Sequence, residues 1–145
     1  RRSERLAYDE LFGETMLLYA GREHPWFQAH AVRRGWPELR TQRLAALGYH
    51  SPNLMIAHAH RLEREASASD QEAVATLVLS GCFVGFLPEH YAEPFVRAGR
   101  MRAVAPRTLN YRCRFSCVRR RAPAPLRVSE FFRDALLLAH AETRR

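Results

Sequence analysis

"SASDQEAVATLVLSGCFVGFLP", residues 67–88, places two serines and an acid directly before a run of small and branched apolar residues. Ser69 and Glu72 stand as S-x-x-E, the arrangement of a capping box. Val74, Leu77, Val78 and Gly81 recur at helical spacing. The spacing predicts a helix over about 70–80 that buries this face and stops at Ser80-Gly81. Its cap contributes about 1 kcal/mol, whereas burying Val74, Leu77 and Val78 contributes roughly 1.5–3 kcal/mol each. Packing therefore decides that the helix exists, and the cap decides where it begins. The following "CFVGFLP" reads as a short buried strand, with Gly85 allowing close backbone approach.

Working outward, "ETMLLYAG" (14–21) reads as a buried strand ended by a glycine, and "REHPWF" turns the chain. Trp36, Leu39, Leu44 and Leu47 share one helical face, so "WPELRTQRLAALG" (36–48) reads as a helix with Pro37 in its first turn and Gly48 as its cap. Asn53 can cap a helix through "LMIAHAHRLERE", yet "RLEREASAS" also fits a half-exposed strand. The preferred reading is a short helical or irregular piece, then a strand near 62–68. "PEHYAEPFVRAGR" (88–100) reads as a helix interrupted by Pro94 and ended by Gly99, and "MRAV" as a strand. In "NYRCRFSCV" (110–118), Tyr111, Cys113, Phe115 and Cys117 alternate with Arg112, Arg114 and Ser116, as a strand with one wet face does. "SEFFRDALLLAHAE" closes the chain as a helix capped by Ser129, burying Phe131, Phe132, Ala135, Leu136 and Ala139. Strands alternating with helices make the fold class α/β.

The chain has 145 residues and a formal charge of +8, and every basic residue is arginine. That length suits one domain or two small lobes. No stretch approaches the roughly 20 apolar residues of a membrane helix. The arginines are scattered and accompany no groove-reading element, which argues against direct nucleic-acid contact. Cys82, Cys113 and Cys117 are odd in number and fit a reducing compartment. Cys113 and Cys117, four apart on a strand, stand roughly 13 Å from each other and cannot bond. His58 and His60, with His50 nearby, raise a metal site, but no cysteine or carboxylate cluster converges on them, so the expectation is no metal. No nucleophile elbow, phosphate loop or zinc-protease motif occurs, and nothing supports an enzyme. Ser67 and Ser69, where a strand meets a helix start, either join the helix N–H groups around a polar ligand group or serve only as a cap and a solvated strand residue.

"ASDQEAVATLVLSGCFVGFLPEHYAEPFVRAGRMRAV" resembles the effector-binding domain of a LysR-type transcriptional regulator. "LFGETMLLYAGREHPWF" is similar to the strand leaving that domain's first subdomain, and "FSCVRRRAPAPLRVSEFFRDAL" to the strand and helix that return. The resemblance implies a periplasmic-binding-protein-like (type 2) fold of two α/β subdomains with the effector between them. It makes residues 1–21 the end of subdomain I and the first crossing strand, 22–108 subdomain II, and 109–145 the second crossing and the return. It also implies that subdomain I is incomplete and that the winged helix-turn-helix lies outside this stretch. DNA is then a partner only through that missing region. The implied partners are a small-molecule effector and further copies in a homodimer or homotetramer, in the cytoplasm, with no cofactor and no membrane. For the site the resemblance points to Ser67, Ser69 and Phe86. A stand-alone solute-binding protein of the same fold is the alternative.

Overall fold

The computed structural model describes residues 3–28, 34–49, 51–122 and 126–141. Its elements are β1 (Leu6–Gly21), α1 (Pro25–Gln28), α2 (Trp36–Leu39), β2 (Leu44–Leu47), α3 (Pro52–Ala59), β3 (Arg64–Ala68), α4 (Gln71–Leu79), β4 (Val84–Pro88), α5 (Glu89–Arg97), β5 (Met101–Ala103), β6 (Asn110–Arg120) and α6 (Arg127–Ala139). The chain divides into two compact units, residues 15–111 and residues 1–14 with 112–145. β1 and β6 each run from one unit into the other.

The larger unit is built on a mixed sheet of order β3-β2-β4-β1-β5. β2 pairs in parallel with both β3 and β4, and β1 runs antiparallel to β4 and β5. One face of this sheet packs Leu17, Tyr19, Leu47, Ala68 and Leu87 against Val74, Ala75 and Val78 of α4 and Ala92 of α5. On the other face Phe86 meets Trp36. Val74 and Val78 approach Gly85, the residue before Phe86, and successive strand residues point to opposite faces. α4 and α2 therefore cover opposite faces. The stacking of His60 on Trp36 puts the end of α3 on the α2 side.

α4 lies hard against β1. A Cβ on Gly21 would come within 2.1 Å of the Val78 carbonyl oxygen, a separation no side chain can occupy. Gly81 ends the helix at a φ of +74°, the left-handed conformation that glycine adopts without a Cβ penalty.

Several local expectations change. The helix expected over 36–48 is one turn of α2 followed by β2. Leu44, Ala45, Ala46 and Leu47 are all buried, because a parallel strand inside a sheet is covered on both faces. A helix would have left half of that run wet, and the helical spacing of the leucines is a coincidence. At the start of α2 the Gly35 N–H donates to Glu38 Oε2 at 2.7 Å, half of a capping box, since glycine has no side chain to complete it. α3 is capped by Ser51, not Asn53, and Asn53 lies buried inside the helix. α4 is capped by Asp70, whose Oδ1 accepts from the Ala73 N–H at 2.8 Å. The carboxylate of Asp70, one residue nearer the helix, takes the place expected of the Ser69 hydroxyl. α5 continues through Pro94; a proline gives up one intrahelical bond, and the packing of Ala92 with Tyr91 and Phe95 holds the helix together.

In the smaller unit β1 begins at Leu6, well before the expected residue 14. The Arg121 N–H donates to the Arg5 carbonyl, while Gly13 lies against the Cys113 carbonyl, so β1 and β6 run antiparallel here. Phe12 stacks on Phe115 with ring centroids 4.7 Å apart. α6 is capped by no side chain; Ser129 sits inside its first turn and donates to the Leu126 carbonyl at 2.7 Å. The stripe expected to be buried is not. Phe131, Phe132, Ala135 and Ala139 are exposed and Leu136 is half-buried, because among the described residues two strands are too few to cover them.

Candidate functional site

β2, β3 and β4 run in the same direction, so their C-terminal ends lie along one edge of the larger unit. After β2 the chain turns to α3 on one face of the sheet, and after β4 it turns to α5 on the other. Such a reversal opens a crevice beyond the strand ends, the usual ligand position in open α/β sheets. Gly48, Tyr49 and Ser51 follow β2, Ser69 and Asp70 follow β3, and Glu89 follows β4.

Two of the three residues expected at the site are on this edge. Ser67 pairs with Ala46 in the ladder and its side chain is exposed. Ser69 is exposed and donates its hydroxyl to Asp70 Oδ2 at 3.1 Å. Phe86 is elsewhere. It is 1% exposed, stacked under Trp36 at 5.8 Å and edge-on to Tyr111 at 5.2 Å. It supports the sheet from behind.

The electrostatics of the edge run against those of the chain. The N-terminus of α4 attracts anions, but Asp70 already fills that position with its own carboxylate. The Tyr91 hydroxyl is pushed up, first by burial and then by Glu72 and Asp70. Tyr19 is pushed up to about 12, by burial and then by Glu89. Three carboxylates thus act on this region of a protein whose formal charge is +8. With its proton directed at Asp70, Ser69 presents lone pairs outward, so the edge offers acceptors to a guest.

Ser51 was missed at the sequence level. Its Oγ accepts from the Leu54 N–H at 3.4 Å, and the signal was present as serine followed by Pro52 at the first helical position. The histidines do not converge. His58 is exposed, His60 lies flat on Trp36, and His50 is outside the described residues. Among the described residues no three His, Cys, Asp or Glu side chains could hold a metal together. No helix there is long and apolar enough to cross a membrane.

Comparison with known proteins agrees with this architecture. The family model described as LysR substrate binding domain matches residues 1–139. The chain is 34% identical over 134 residues to the HTH-type transcriptional activator BauR of Pseudomonas aeruginosa, covering 92% of this chain and 44% of that protein. It therefore spans less than half the length of this relative. Among solved structures, the CcmR regulatory domain of Synechocystis PCC6803 in complex with 2-PG matches with a TM-score of 0.76 at 15% identity, over all of this chain and 73% of that one. Full-length LysG from Corynebacterium glutamicum with bound effector Arg matches with a TM-score of 0.71 at 18% identity, over all of this chain and 50% of that one. At such identities the structural matches speak for the fold, which is the periplasmic-binding-protein-like α/β fold expected from the sequence.

Proposed function

The chain belongs to the LysR substrate-binding domain family, and from that membership we propose that it is the effector-sensing part of a DNA-binding transcriptional regulator, not an enzyme. The units described above then correspond to the two lobes of the family's domain, joined by β1 and β6. DNA contact falls to a region outside this stretch, and the regulator works in the cytoplasm as a homodimer or homotetramer. The family membership and the bound ligands of the CcmR and LysG structures support a sensing role.

The effector is held at the C-terminal edge of β2, β3 and β4, with Ser67 and Ser69 as contacts and Phe86 acting only through the packing behind the sheet. The carrying observation is the hydroxyl of Ser69 turned toward Asp70. It leaves an acceptor facing out beside the Asp70 carboxylate, with Glu72 in the first turn of α4 and Glu89 following β4. That surface suits an effector presenting an ammonium or another hydrogen-bond donor, because a carboxylate placed there would be repelled. Binding regulates by population shift: an effector moves the equilibrium between two arrangements only as far as its affinities for them differ.

A thermal-shift screen of the chain against small amines, amino acids and monocarboxylates tests this reading, with Ser67→Ala and Ser69→Ala in parallel. Amines or amino acids should raise the melting temperature, and the rise should shrink in at least one variant. Equal ligand-induced shifts in wild type and both variants would remove the serines from the site. Light scattering with and without the stabilising ligand then reports whether assembly changes.

A further inference from the structure

A second feature of the larger unit lies beside the C-terminal end of β2, whose Leu47 lines it, and is walled by different residues from those of the serine edge. Between α3 and the sheet there is a cavity of about 280 Å³, walled by Ala46, Leu54, Ala57 and Leu62 and carrying Asn53 and Arg64. Neither serine and no part of Phe86 lines it. The cavity exists because small side chains meet where larger ones would close the space, Ala46 on β2 and Ala57 on α3.

One of its polar groups, the Asn53 amide, has no structural duty that explains it. Asn53 is 4% exposed, and its Nδ2 has no hydrogen-bond partner. Leaving a buried donor unpaired is costly, and a leucine at this position would avoid that cost. The cap of α3 does not require it, since Ser51 supplies that. Arg64 donates Nη1 to the Leu47 carbonyl at 2.8 Å, which ties its guanidinium to this region. Among the described residues no ion pair involves Arg64. His58 contributes to the wall as well, and no acidic side chain does.

We propose that this cavity is a second small-molecule site, taking a monocarboxylate with a compact apolar body of about five to eight carbons. The carboxylate accepts from Asn53 Nδ2–H and from the free edge of the Arg64 guanidinium, a charge-assisted contact. The hydrocarbon body fills the space between Leu54, Ala57 and Leu62. The volume falls just below the range of about 300–1,000 Å³ usual for ligand pockets, which sets the upper size. This site has the opposite preference from the strand-end edge: donors and a cation here, acceptors and carboxylates there.

The test is a ¹⁵N NMR titration of the chain with 4-methylpentanoate, followed at the side-chain amide of Asn53, with 4-methylpentanamide as the uncharged probe. The carboxylate should shift that signal saturably and bind at least tenfold more tightly than the amide. Arg64→Gln, a change at an exposed residue, should weaken binding about tenfold; Ala57→Leu should abolish it by filling the cavity. Ser69→Ala should leave it unchanged, which separates this site from the strand-end site. The proposal is overturned by an absent or non-saturable shift, by equal affinity for the two probes, or by unaltered binding in Arg64→Gln. If Ala57→Leu fails to fold, Arg64→Gln alone decides.

Discussion

The indole of Trp36 and the imidazole of His60 lie parallel, with ring centroids 3.6 Å apart and an interplanar angle of 6°. Trp36 opens α2 and His60 closes α3, so this contact joins two helices that the sequence separates by 24 positions. The stack continues through Phe86 to Tyr111, and it keeps Phe86 from the surface. An aromatic pair of this kind contributes about 0.5–1.5 kcal/mol beyond the area it buries. His60→Ala should lower stability by roughly that amount. A double-mutant cycle with Trp36→Leu should show coupling of at least about 0.5 kcal/mol. Additive losses in urea unfolding would mean that the rings merely lie side by side.

Asp70 and Ser69 can be separated by their effects on stability. Asp70→Ala removes the side chain that caps α4 and should cost about 0.5–2 kcal/mol. Ser69→Ala removes only an exposed hydroxyl that donates to that cap, and its cost should be under about 0.5 kcal/mol. Chemical denaturation of both variants checks the order. If Ser69→Ala proved the more damaging, it would be the capping residue, and its loss could no longer be used to read ligand contact.

Gly21 is a place where volume decides. Because the Val78 carbonyl belongs to the backbone, no rotamer change relieves the 2.1 Å approach of an added Cβ. Gly21→Ala should cost more than about 3 kcal/mol, at the severe end for a single substitution. Gly48→Ala meets nothing nearer than 3.6 Å and should cost less than about 1 kcal/mol. Comparable melting temperatures for the two variants would show that α4 can move off the sheet.

His24 should make stability depend on pH. Its pKa lies below the usual 6.5, first because burial penalises the charged ring and then because Arg34 is near. The unfolded chain takes up a proton as pH falls through about 6.5, and the folded chain does so only lower down. Stability should therefore decline as pH falls below about 6.5, and above that value the contribution of this group is complete and no longer varies with pH. The ring's Nδ1 accepts from the Trp26 N–H at 3.1 Å, a role that asparagine can fill. The melting temperature of His24→Asn should fall less steeply over the same range. Parallel curves for variant and wild type would exclude His24 as the source.

Residues 67–88 were legible because local signals and tertiary demands coincide there: an apolar face at helical spacing, a glycine stop and an unbroken apolar strand. The position of Ser67 and Ser69 where β3 gives way to α4 was legible too, but the cap was not, because Asp70 takes it. Leu44–Leu47 were not, since four apolar residues satisfy a buried strand and one face of a helix equally well. Only the neighbours β3 and β4 resolve that ambiguity. Phe86 lies in a recognisable segment, but only the pleat of β4 decides that its ring packs on Trp36. The cavity beneath α3 left no trace in the sequence, because an asparagine and two alanines carry no pattern until a helix and a sheet bring them together.

By itself the sequence determined the α/β character, the helix over 71–79, the strands on either side of it, and the family to which the chain belongs. These rest on periodicity and turn chemistry, which act over a few residues and survive in one dimension. Tertiary structure alone decided that Asp70 holds the end of α4, that Phe86 is internal, that the strand-end edge is acidic within a basic protein, and that Asn53 is buried with its Nδ2 unpaired. Each of these depends on distances between residues far apart in the chain. Hydrogen bonding, burial and charge–charge forces act through those distances, whatever the spacing in sequence.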